Sequence, residues 1–387
     1  MKKLRVLHVQ HFVYPYRFPL FEELGRKFDL EVRFCRAKRS WRQWSTDIPK
    51  DQNYKAEILR AIRIGPLTFN PGLLGELRSK YDVYSVAALD SINVLQFLQV
   101  IIVAKMRRAP FIMVDEFMDT KYYCSERKLS YALNVFLRKI LYRHIDAFVL
   151  WNKAGKGFVE RLGVAPQKIF CGPQVLTGPH DGSRRNDNEP NAFDERSNSR
   201  ETNVLYVGSL IKRKGVDVLI RAFMQLGDVN LRLMIVGNGT EEKTLRDLAE
   251  GDSRIVFCGH LGGRDKREVF KKAHVFVLPT LHEPWGFVIN EALDWGLPVI
   301  TTSAAGSADY LVKDNGFIVP PGDIVALRDA LSNLISNREL MHKMGEASLH
   351  LNSELKIADM AKPFFDAVDF VTGTISSGAS EIDTAKS

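Results

Sequence analysis

Short apolar runs alternate with segments of helical periodicity along most of the second half of the chain. The apolar runs predict strands over Val204–Val207, Leu231–Val236, Ile255–Cys258, Val275–Leu278, Pro298–Thr301 and Gly316–Val319. Between them, apolar residues spaced by three and four predict helices over Val216–Leu226, Glu241–Ala249, Lys266–Lys272, Phe287–Trp295 and Ile324–Ile335. Strands and helices that alternate in this way form right-handed βαβ units, so we expect a parallel sheet covered by helices on both faces.

The first half shows the same alternation less regularly. Its apolar runs predict strands over Leu4–Val9, Leu30–Phe34, Val83–Ala87, Phe111–Val114 and Ala147–Leu150. Helices are predicted over Leu20–Lys27, Leu73–Lys80, Ile92–Met106 and Leu129–Tyr142. The predicted fold class is therefore α/β, with two doubly wound Rossmann-like domains. We expect the carboxyl ends of the two sheets to face each other across a ligand-binding cleft.

A polar stretch, residues 178–200, separates the two halves and contains only Ala192 and Phe193 as apolar residues of any size to bury. It predicts a linker or surface loop between an amino-terminal domain, 1–177, and a carboxyl-terminal domain, 201–352. An apolar helix within 353–372 comes after the second domain is complete, and we expect it to pack back on the first. The small polar residues of 373–387 predict a flexible tail.

The composition is that of a folded globular protein and excludes wholesale disorder. Of the 387 residues, 45% are apolar and 26% are charged. No apolar run approaches the roughly 18 residues of a membrane-spanning helix, and the first residues lack the features of a signal peptide. The four cysteines lie far apart and form no CxxC pair. This argues against a zinc site or a disulfide scaffold and favours a reduced, cytoplasmic compartment.

The net charge of +8 is unevenly distributed between the halves. Residues 1–177 hold 30 Lys and Arg against 16 Asp and Glu, a net +14, whereas residues 178–387 hold 24 against 30, a net −6. The basic first half predicts an anionic partner, such as nucleic acid, a membrane surface or a phosphorylated substrate.

A candidate binding segment follows the strand that ends in VFVLPT. Glu283 lies in the loop after this strand, Gly286 lies where the next helix begins, and Glu291 lies one turn into that helix. A helix amino terminus presents amide groups and a partial positive charge that suit phosphate or sugar oxygens, and a glycine lets a ligand approach the backbone closely. The two carboxylates could bind hydroxyl groups at two points of one ligand. Judged by spacing alone, Glu283 is more commonly interpreted as a solvated loop residue and Glu291 as a solvated residue on the helix surface.

A second candidate segment, Gly208–Gly215, follows the strand Val204–Val207 and carries Lys212, Arg213 and Lys214 in a row. Three cations between glycines at the carboxyl end of a strand suit a diphosphate. The alternative is a solvated run of charge.

Together these segments resemble the retaining glycosyltransferases of GT-B family 4. In that family a GxL…KG segment is followed by IVGxG, by VxFxG and by FVLPS…EPFG…xEA…G.PV. This chain has VGSLIKRKG, MIVGNG, IVFCG and VFVLPTLHEPWGFVINEALDWGLPVI, followed by AGSADYLV and NGFIVPPGD. The resemblance covers about the whole second domain, and it favours the functional interpretation of both segments.

The resemblance implies a role for individual residues. Lys214 matches the lysine that contacts the donor diphosphate, Glu283 the carboxylate that binds the transferred sugar, and Glu291 the one that binds the donor ribose. Glu283 and Lys214 are the implied catalytic residues. The other implied donor-binding residues are Gly208, Ser209, Lys212, Arg213, Gly237, Gly286, Phe287 and Val288. Ser209 departs from the family, in which many members have arginine at this position; Lys212 or Arg213 is the candidate replacement.

The acceptor side is less well defined, because the first domain matches the family weakly. The candidates are polar residues near the carboxyl ends of predicted strands: His11, Arg17, Asp115 and Glu116. The alternatives are a structural role for His11, a solvated Arg17, and helix capping by Asp115 and Glu116. A basic and aromatic segment after another strand contains Arg36, Lys38, Arg39, Trp41, Arg42 and Trp44. A solvated strand end and a site for single-stranded nucleic acid are alternatives, and contact with an anionic membrane is the preferred functional interpretation. No nucleic-acid-binding motif accompanies this segment, so we expect no nucleic-acid partner.

The predicted protein is thus a glycosyltransferase of the hexosyltransferase type. It would move a sugar from a nucleotide-diphosphate sugar to a hydroxyl of a saccharide or lipid-linked acceptor, with retention, in the synthesis of cell-surface polysaccharide, lipopolysaccharide or glycolipid. No cofactor and no metal are expected, because the nucleotide sugar is a substrate. The expected location is the cytoplasm, with peripheral attachment to the inner face of the membrane as an option. The alternatives are another GT-B chemistry, such as sugar-nucleotide epimerisation, and a non-catalytic basic module that binds membrane or nucleic acid.

Overall fold

The computed structural model describes residues 2–36, 47–64, 67–76, 79–87, 94–115, 128–176, 201–227 and 229–374. The chain divides into two compact units. The first contains the chain up to Pro173 and again from Ile357, and the second is Gln174–Lys356. The sequence places these changes at 177 and 352. The whole predicted linker 178–200 lies outside the described residues, as does the predicted tail 373–387 except for its first two residues.

The first unit contains a parallel sheet whose described strands run in the order β3-β2-β1-β6-β7-β8-β9. Successive strands lie next to each other on either side of β1, as expected of a doubly wound sheet. The strands are β1 Arg5–Phe12, β2 Asp29–Arg36, β3 Lys55–Ile58, β6 Val83–Ala87, β7 Phe111–Asp115, β8 Ala147–Leu150 and β9 Ile169–Cys171. A separate antiparallel pair consists of β4 Ile62–Ile64 and β5 Leu67–Phe69.

The helices of the first unit include the last helix of the chain. They are α1 Phe18–Lys27, α2 Pro71–Gly75, α3 Val94–Arg107, α4 Lys128–Tyr142, α5 Lys153–Arg161 and, from the carboxyl-terminal segment, α13 Ile357–Thr372. The α13 helix packs against α1, β8 and β9. Phe364 is buried against the rings of His8 and Phe28, and a side chain at Gly172 would collide with Pro363.

The second unit contains a parallel sheet whose described strands run in the order β12-β11-β10-β13-β14-β15. The strands are β10 Thr202–Val207, β11 Leu231–Val236, β12 Ile255–Gly259, β13 Val275–Leu278, β14 Val299–Thr302 and β15 Gly316–Val319. The helices are α6 Val216–Met224, α7 Glu242–Leu248, α8 Gly263–Lys272, α9 Phe287–Asp294, α10 Ala308–Leu311, α11 Ile324–Ser336 and α12 Arg338–Glu354. Two parallel sheets with helices confirm the predicted α/β class.

The sequence missed or misplaced several elements. It did not predict α12, because the buried positions of this helix are Met341, Met344, Gly345 and Ser348, which form a weak apolar stripe. It placed a helix over Leu73–Lys80, whereas the described residues of this stretch contain the short α2, and residues 77–78 lie outside the described part of the chain. It also missed α5, whose amino terminus is capped by the Asn152 side chain accepting from the Gly155 amide.

None of the described helices is both long enough and apolar enough to cross a bilayer.

His8 on the central strand β1 is the basis of a pH prediction. Its ring is buried against Phe21, with Nδ1 2.9 Å from Ser85 Oγ and Nε2 3.3 Å from Gln10 Oε1. Burial, helped by the positive charge of Arg17, lowers the pKa of His8 from 6.5 to about 4. The unfolded chain therefore takes up a proton first, so His8 makes the fold less stable as the pH falls from about 6.5 to about 4.

The full effect of this shift is on the order of 3 kcal/mol. We expect His8→Gln to flatten the loss of unfolding free energy between pH 6.5 and 4, as measured by urea denaturation. His350→Gln, at an exposed position, should keep the wild-type slope. Parallel curves for His8→Gln and the wild type would show that His8 does not contribute to the pH dependence.

Candidate functional site

Two loops at the carboxyl ends of the neighbouring strands β10 and β13 form the candidate site. The first ends in a 3₁₀ turn, Lys212–Lys214, and the second runs from Pro279 to Gly286. The carbonyl oxygen of Arg213 accepts hydrogen bonds from the amides of Leu281, at 2.8 Å, and His282, at 3.3 Å, and from Thr280 Oγ1, at 3.0 Å. These hydrogen bonds hold the two loops against each other.

The Glu283 carboxylate lies between these two loops and is bonded to residues of the first. Its Oε2 accepts from Arg213 Nη1 at 2.9 Å and from Lys214 Nζ at a short distance, and Lys214 and Glu283 are both buried. Burial alone would raise the pKa of the Glu283 carboxyl, but the charges of Lys214 and Arg213 outweigh it and keep this pKa below its usual value. At neutral pH the Glu283 side chain is therefore an ionised acceptor of hydrogen bonds.

The backbone around Glu283 is also fixed. Its amide donates to the Ala304 carbonyl at 3.1 Å, and its carbonyl accepts from the Gly306 amide at 2.9 Å. The Trp285 indole Nε1 donates to Asn290 Oδ1 at 2.9 Å, which ties the loop to the helix that follows. The carboxylate is thus held by its backbone as well as by its ion pairs.

Gly286 begins the helix α9 in a backbone conformation that requires glycine. Its φ is 90° and its ψ is 61°, in the left-handed region. A Cβ atom at this position would lie 2.9 Å from Leu278 Cδ2 and 3.3 Å from Glu283 Cγ. The turn places the amino-terminal amides of α9, which include those of Phe287 and Val288, next to the Glu283 loop. Such amides suit anionic or hydroxyl oxygens.

Glu291 pairs with a residue that the sequence analysis missed. Lys266 Nζ on α8 lies 2.8 Å from both Glu291 Oε1 and Glu291 Oε2, and both side chains are largely buried. Lys266 stands four residues before the buried Phe270, so it lies on the buried face of α8. That spacing was the signal available in the sequence.

The glycines at the ends of β10 and β11 pack the backbone of two loops together. Gly237 has φ 137°, and a Cβ on it would lie 1.9 Å from the Gly208 carbonyl oxygen. The Tyr206 hydroxyl donates to the Ser209 carbonyl at 3.0 Å, and burial, with the charge of Glu283, raises the pKa of Tyr206. Gly237 therefore supports the Gly208 loop in this structure.

The predicted donor residues differ in how they are placed. Arg213, Lys214, Glu283 and Gly286 come together, and Glu291 forms a separate ion pair with Lys266. Lys212 and Ser209 are exposed. Among the described residues, no group of three or more His, Cys, Asp or Glu side chains is placed to hold a metal ion.

The predicted acceptor candidates belong to the first unit. His11 and Asp115 are buried near the carboxyl ends of β1 and β7, and the buried Arg17 guanidinium lies 4.9 Å from the centre of the Trp151 ring. Arg36 ends β2. The remaining candidates lie outside the described residues: Glu116, Lys38, Arg39, Trp41, Arg42 and Trp44.

Residues 187–350 match the family model described as "Glycosyl transferases group 1", and this range includes both site loops and the Lys266–Glu291 pair. The chain therefore carries a glycosyltransferase group 1 domain.

Curated relatives match this glycosyltransferase domain. An uncharacterized glycosyltransferase of Methanocaldococcus jannaschii is 34% identical over 126 residues, which are 31% of this chain and 32% of the relative. The capsular polysaccharide biosynthesis glycosyltransferase CapM of Staphylococcus aureus is 31% identical over 147 residues, 36% of this chain and 38% of the relative. The chain thus matches only about a third of the length of these relatives.

The structural similarity extends beyond the glycosyltransferase domain. The crystal structure of Anabaena HepE in complex with UDP superposes with a TM-score of 0.68 and 15% identity over 95% of this chain and 100% of that one. This similarity shows the GT-B fold.

Proposed function

We propose that the protein is a retaining glycosyltransferase that moves a sugar from a nucleotide-diphosphate sugar to an acceptor hydroxyl. One observation carries this proposal: the buried, ionised Glu283 carboxylate is held by Lys214 and Arg213 beside the amino terminus of α9. The site thus combines an acceptor for sugar hydroxyls with donors for a diphosphate.

The leaving diphosphate would be stabilised by groups that are already in position. Lys214 Nζ has three N–H donors, so it can keep its bond to Glu283 and donate to a phosphate oxygen at the same time. Arg213 replaces the arginine that many family members have at the position of Ser209, since Arg213 contacts Glu283 whereas Lys212 is exposed. The preorganised charges and the α9 amides stabilise negative charge as it develops on the diphosphate.

Glu283 would bind and orient the sugar. Because its pKa is lowered, the carboxylate has no proton to donate at neutral pH, so it serves as an acceptor for sugar hydroxyls. The leaving phosphate would then take the proton of the acceptor hydroxyl. Glu291, oriented by Lys266, would accept hydrogen bonds from the ribose hydroxyls.

We propose that this chemistry needs no divalent cation, because Lys214, Arg213 and the helix amides supply the positive charge. Addition of EDTA to metal-free reagents should leave the transfer rate unchanged.

We place the reaction in the synthesis of cell-surface polysaccharide, lipopolysaccharide or glycolipid, at the cytoplasmic face of the membrane. The resemblance to CapM, named for capsular polysaccharide biosynthesis, supports this proposal. A saccharide or a lipid-linked saccharide is the acceptor class, and nucleic acid is not an expected partner.

UDP is the first probe for the donor site, because HepE was solved in complex with UDP. We expect Glu291→Ala to weaken the binding of UDP by roughly tenfold or more, since a hydrogen bond to a charged group contributes about 1.5–3 kcal/mol. Glu283→Ala should leave the affinity for UDP within about threefold of the wild type, because UDP has no transferred sugar. Isothermal titration measures both, and equal losses would refute this division of roles.

Nuclear magnetic resonance of a donor with the enzyme alone separates transfer from epimerisation. An epimerase converts the donor sugar without any acceptor, whereas a glycosyltransferase requires one. A purely binding module would show no affinity for any nucleoside diphosphate.

A further inference from the structure

The outer sides of α3 and α4 carry exposed apolar residues. We name this surface the α3–α4 face; it comprises Ile102, Met106, Phe136, Leu137 and Ile140, whose exposed fractions range from 42% to 67%. Ile102 and Met106 are four residues apart on α3, as are Phe136 and Ile140 on α4, so each pair lies on one side of its helix.

The two helices pack on the same face of the sheet, against neighbouring strands. Phe97 on α3 packs against Phe111 on β7, with 5.5 Å between ring centres, and Tyr142 on α4 packs against Phe148 on β8 at 5.1 Å. Phe148 is paired with Met113, which points to the same side of β7 as Phe111. Because β7 and β8 are neighbours, the apolar residues of both helices belong to one surface.

A cavity of about 480 Å³ opens where α3 ends, at the amino-terminal edge of this sheet. Three cations line it, Lys105, Arg108 and Lys168, together with one carboxylate, Asp146. Asp146 Oδ2 accepts from the Phe111 amide at 2.9 Å and lies 3.6 Å from Lys105 Nζ. The cavity therefore has a net positive charge and suits an anion.

The backbone of Arg108 supports this assignment. Its φ is 54°, and it is the one non-glycine residue with a positive φ in the part of the chain that the structure describes. It directly follows the last residue of α3, and its amide donates to the Lys105 carbonyl at 3.1 Å; helices often have glycine at this position. The left-handed backbone conformation at position 108 thus favours glycine. The residue is nevertheless an arginine, and it lines the cavity.

The charge of the two helices identifies the kind of partner. Neither α3 nor α4 contains an aspartate or a glutamate, whereas Lys105, Arg107 and Lys139 are exposed on them. A second copy of the chain would bring the same cations and be repelled. An anionic bilayer offers both an apolar interior and negative headgroups.

We propose that the α3–α4 face docks on a bilayer that contains anionic phospholipid, with its apolar side chains in the headgroup boundary and a lipid phosphate in the cavity. This proposal deepens the proposed function, because it places the first unit at the membrane that would hold a lipid-linked acceptor. The link to the acceptor rests on the proposed function; the docking itself does not. The face differs from the predicted segment around Trp41, which follows the carboxyl end of β2.

The test is co-sedimentation of the full chain with vesicles of phosphatidylcholine alone or mixed equally with phosphatidylglycerol. One variant replaces Ile102, Met106 and Phe136 with serine. Its matched control replaces Met224, Ile318 and Val325 with serine, since these residues of the second unit are similarly exposed. We expect the first variant to bind the anionic vesicles at least tenfold more weakly than the wild type, and the control to stay within twofold.

A second variant, Lys105→Gln with Arg108→Gly, tests the cavity. Each cation near an anionic surface contributes roughly fivefold, so we expect roughly 25-fold weaker binding to anionic vesicles. The unfolding midpoint should not fall, because glycine suits the left-handed backbone at position 108. A drop in vesicle binding without a drop in stability would support a role in binding.

Three results would overturn the proposal. The first is equal sedimentation of the wild type with neutral and anionic vesicles. The second is a wild-type dimer without vesicles that the triple serine variant abolishes, which would make a second copy the partner. The third is saturable binding of inorganic phosphate by a chain that does not bind vesicles, which would make the cavity a site for a soluble anion. UDP is titrated into the same proteins, because a chain that binds UDP but not vesicles would contradict the docking and leave the proposed function intact.

Discussion

Replacing Lys214 with alanine should lower the rate of sugar transfer by between roughly 30-fold and 1,000-fold. Lys214 stands at the carboxyl end of β10, buried against Glu283, and no other lysine of the turn shares that position. Loss of one preorganised donor to a developing anion costs on the order of 2–4 kcal/mol in the transition state. The rate should be measured with saturating donor, so that the loss is assigned to kcat.

Lys212→Ala is the matched control for this experiment, because Lys212 is in the same turn and is exposed. It should keep a rate close to that of the wild type. Arg213→Ala should fall between the two, since Arg213 shares the Glu283 oxygen but is less buried. If Lys214→Ala transfers sugar at a near-normal rate, Lys214 does not stabilise the leaving group.

A second large effect is expected from Gly237→Ala, this time on stability. The added Cβ would lie 1.9 Å from the Gly208 carbonyl oxygen, and φ 137° is strained for any residue with a side chain. Strain of this kind costs on the order of 1–3 kcal/mol, and the collision with backbone adds to it, so we expect a total loss above about 3 kcal/mol.

Gly251→Ala separates the two contributions. Gly251 also has a positive φ, of 90°, but an added Cβ would meet nothing within 4 Å. Denaturant unfolding should therefore show a smaller loss for Gly251→Ala than for Gly237→Ala. Equal losses would mean that the Gly208 loop moves aside at little cost.

The sequence predicted the site to the extent that strand order determines it. Glu283 and Lys214 each follow a buried apolar run, and β10 and β13 are neighbours in a doubly wound sheet, so their loops meet. Arg213, and not Lys212, contacts Glu283 because of the way a single 3₁₀ turn is rotated. The spacing of residues in the sequence does not predict that rotation. Lys266 was missed because α8 is mostly charged and only Phe270 marks its buried face.

The pattern of apolar residues was least informative where helices bury few large side chains. The buried residues of the α12 helix are methionine, glycine and serine, and its leucines that contact the core are only partly buried, so no stripe of buried leucine or isoleucine marked it. Conversely, α3 and α4 were predicted readily, since their apolar residues extend around much of each helix. The same residues that made these helices easy to predict leave apolar side chains at the surface.

The position of α13 has a consequence for how the protein is made. The second unit is continuous in sequence, so it can fold as soon as its last residue leaves the ribosome. The first unit, although most of it is synthesised first, lacks the helix that covers His8, Phe28 and Gly172 until the segment from Ile357 has been made. During synthesis the amino-terminal sheet therefore keeps an uncovered apolar surface while the second unit is made, and we expect the nascent chain to be most prone to aggregation over that interval.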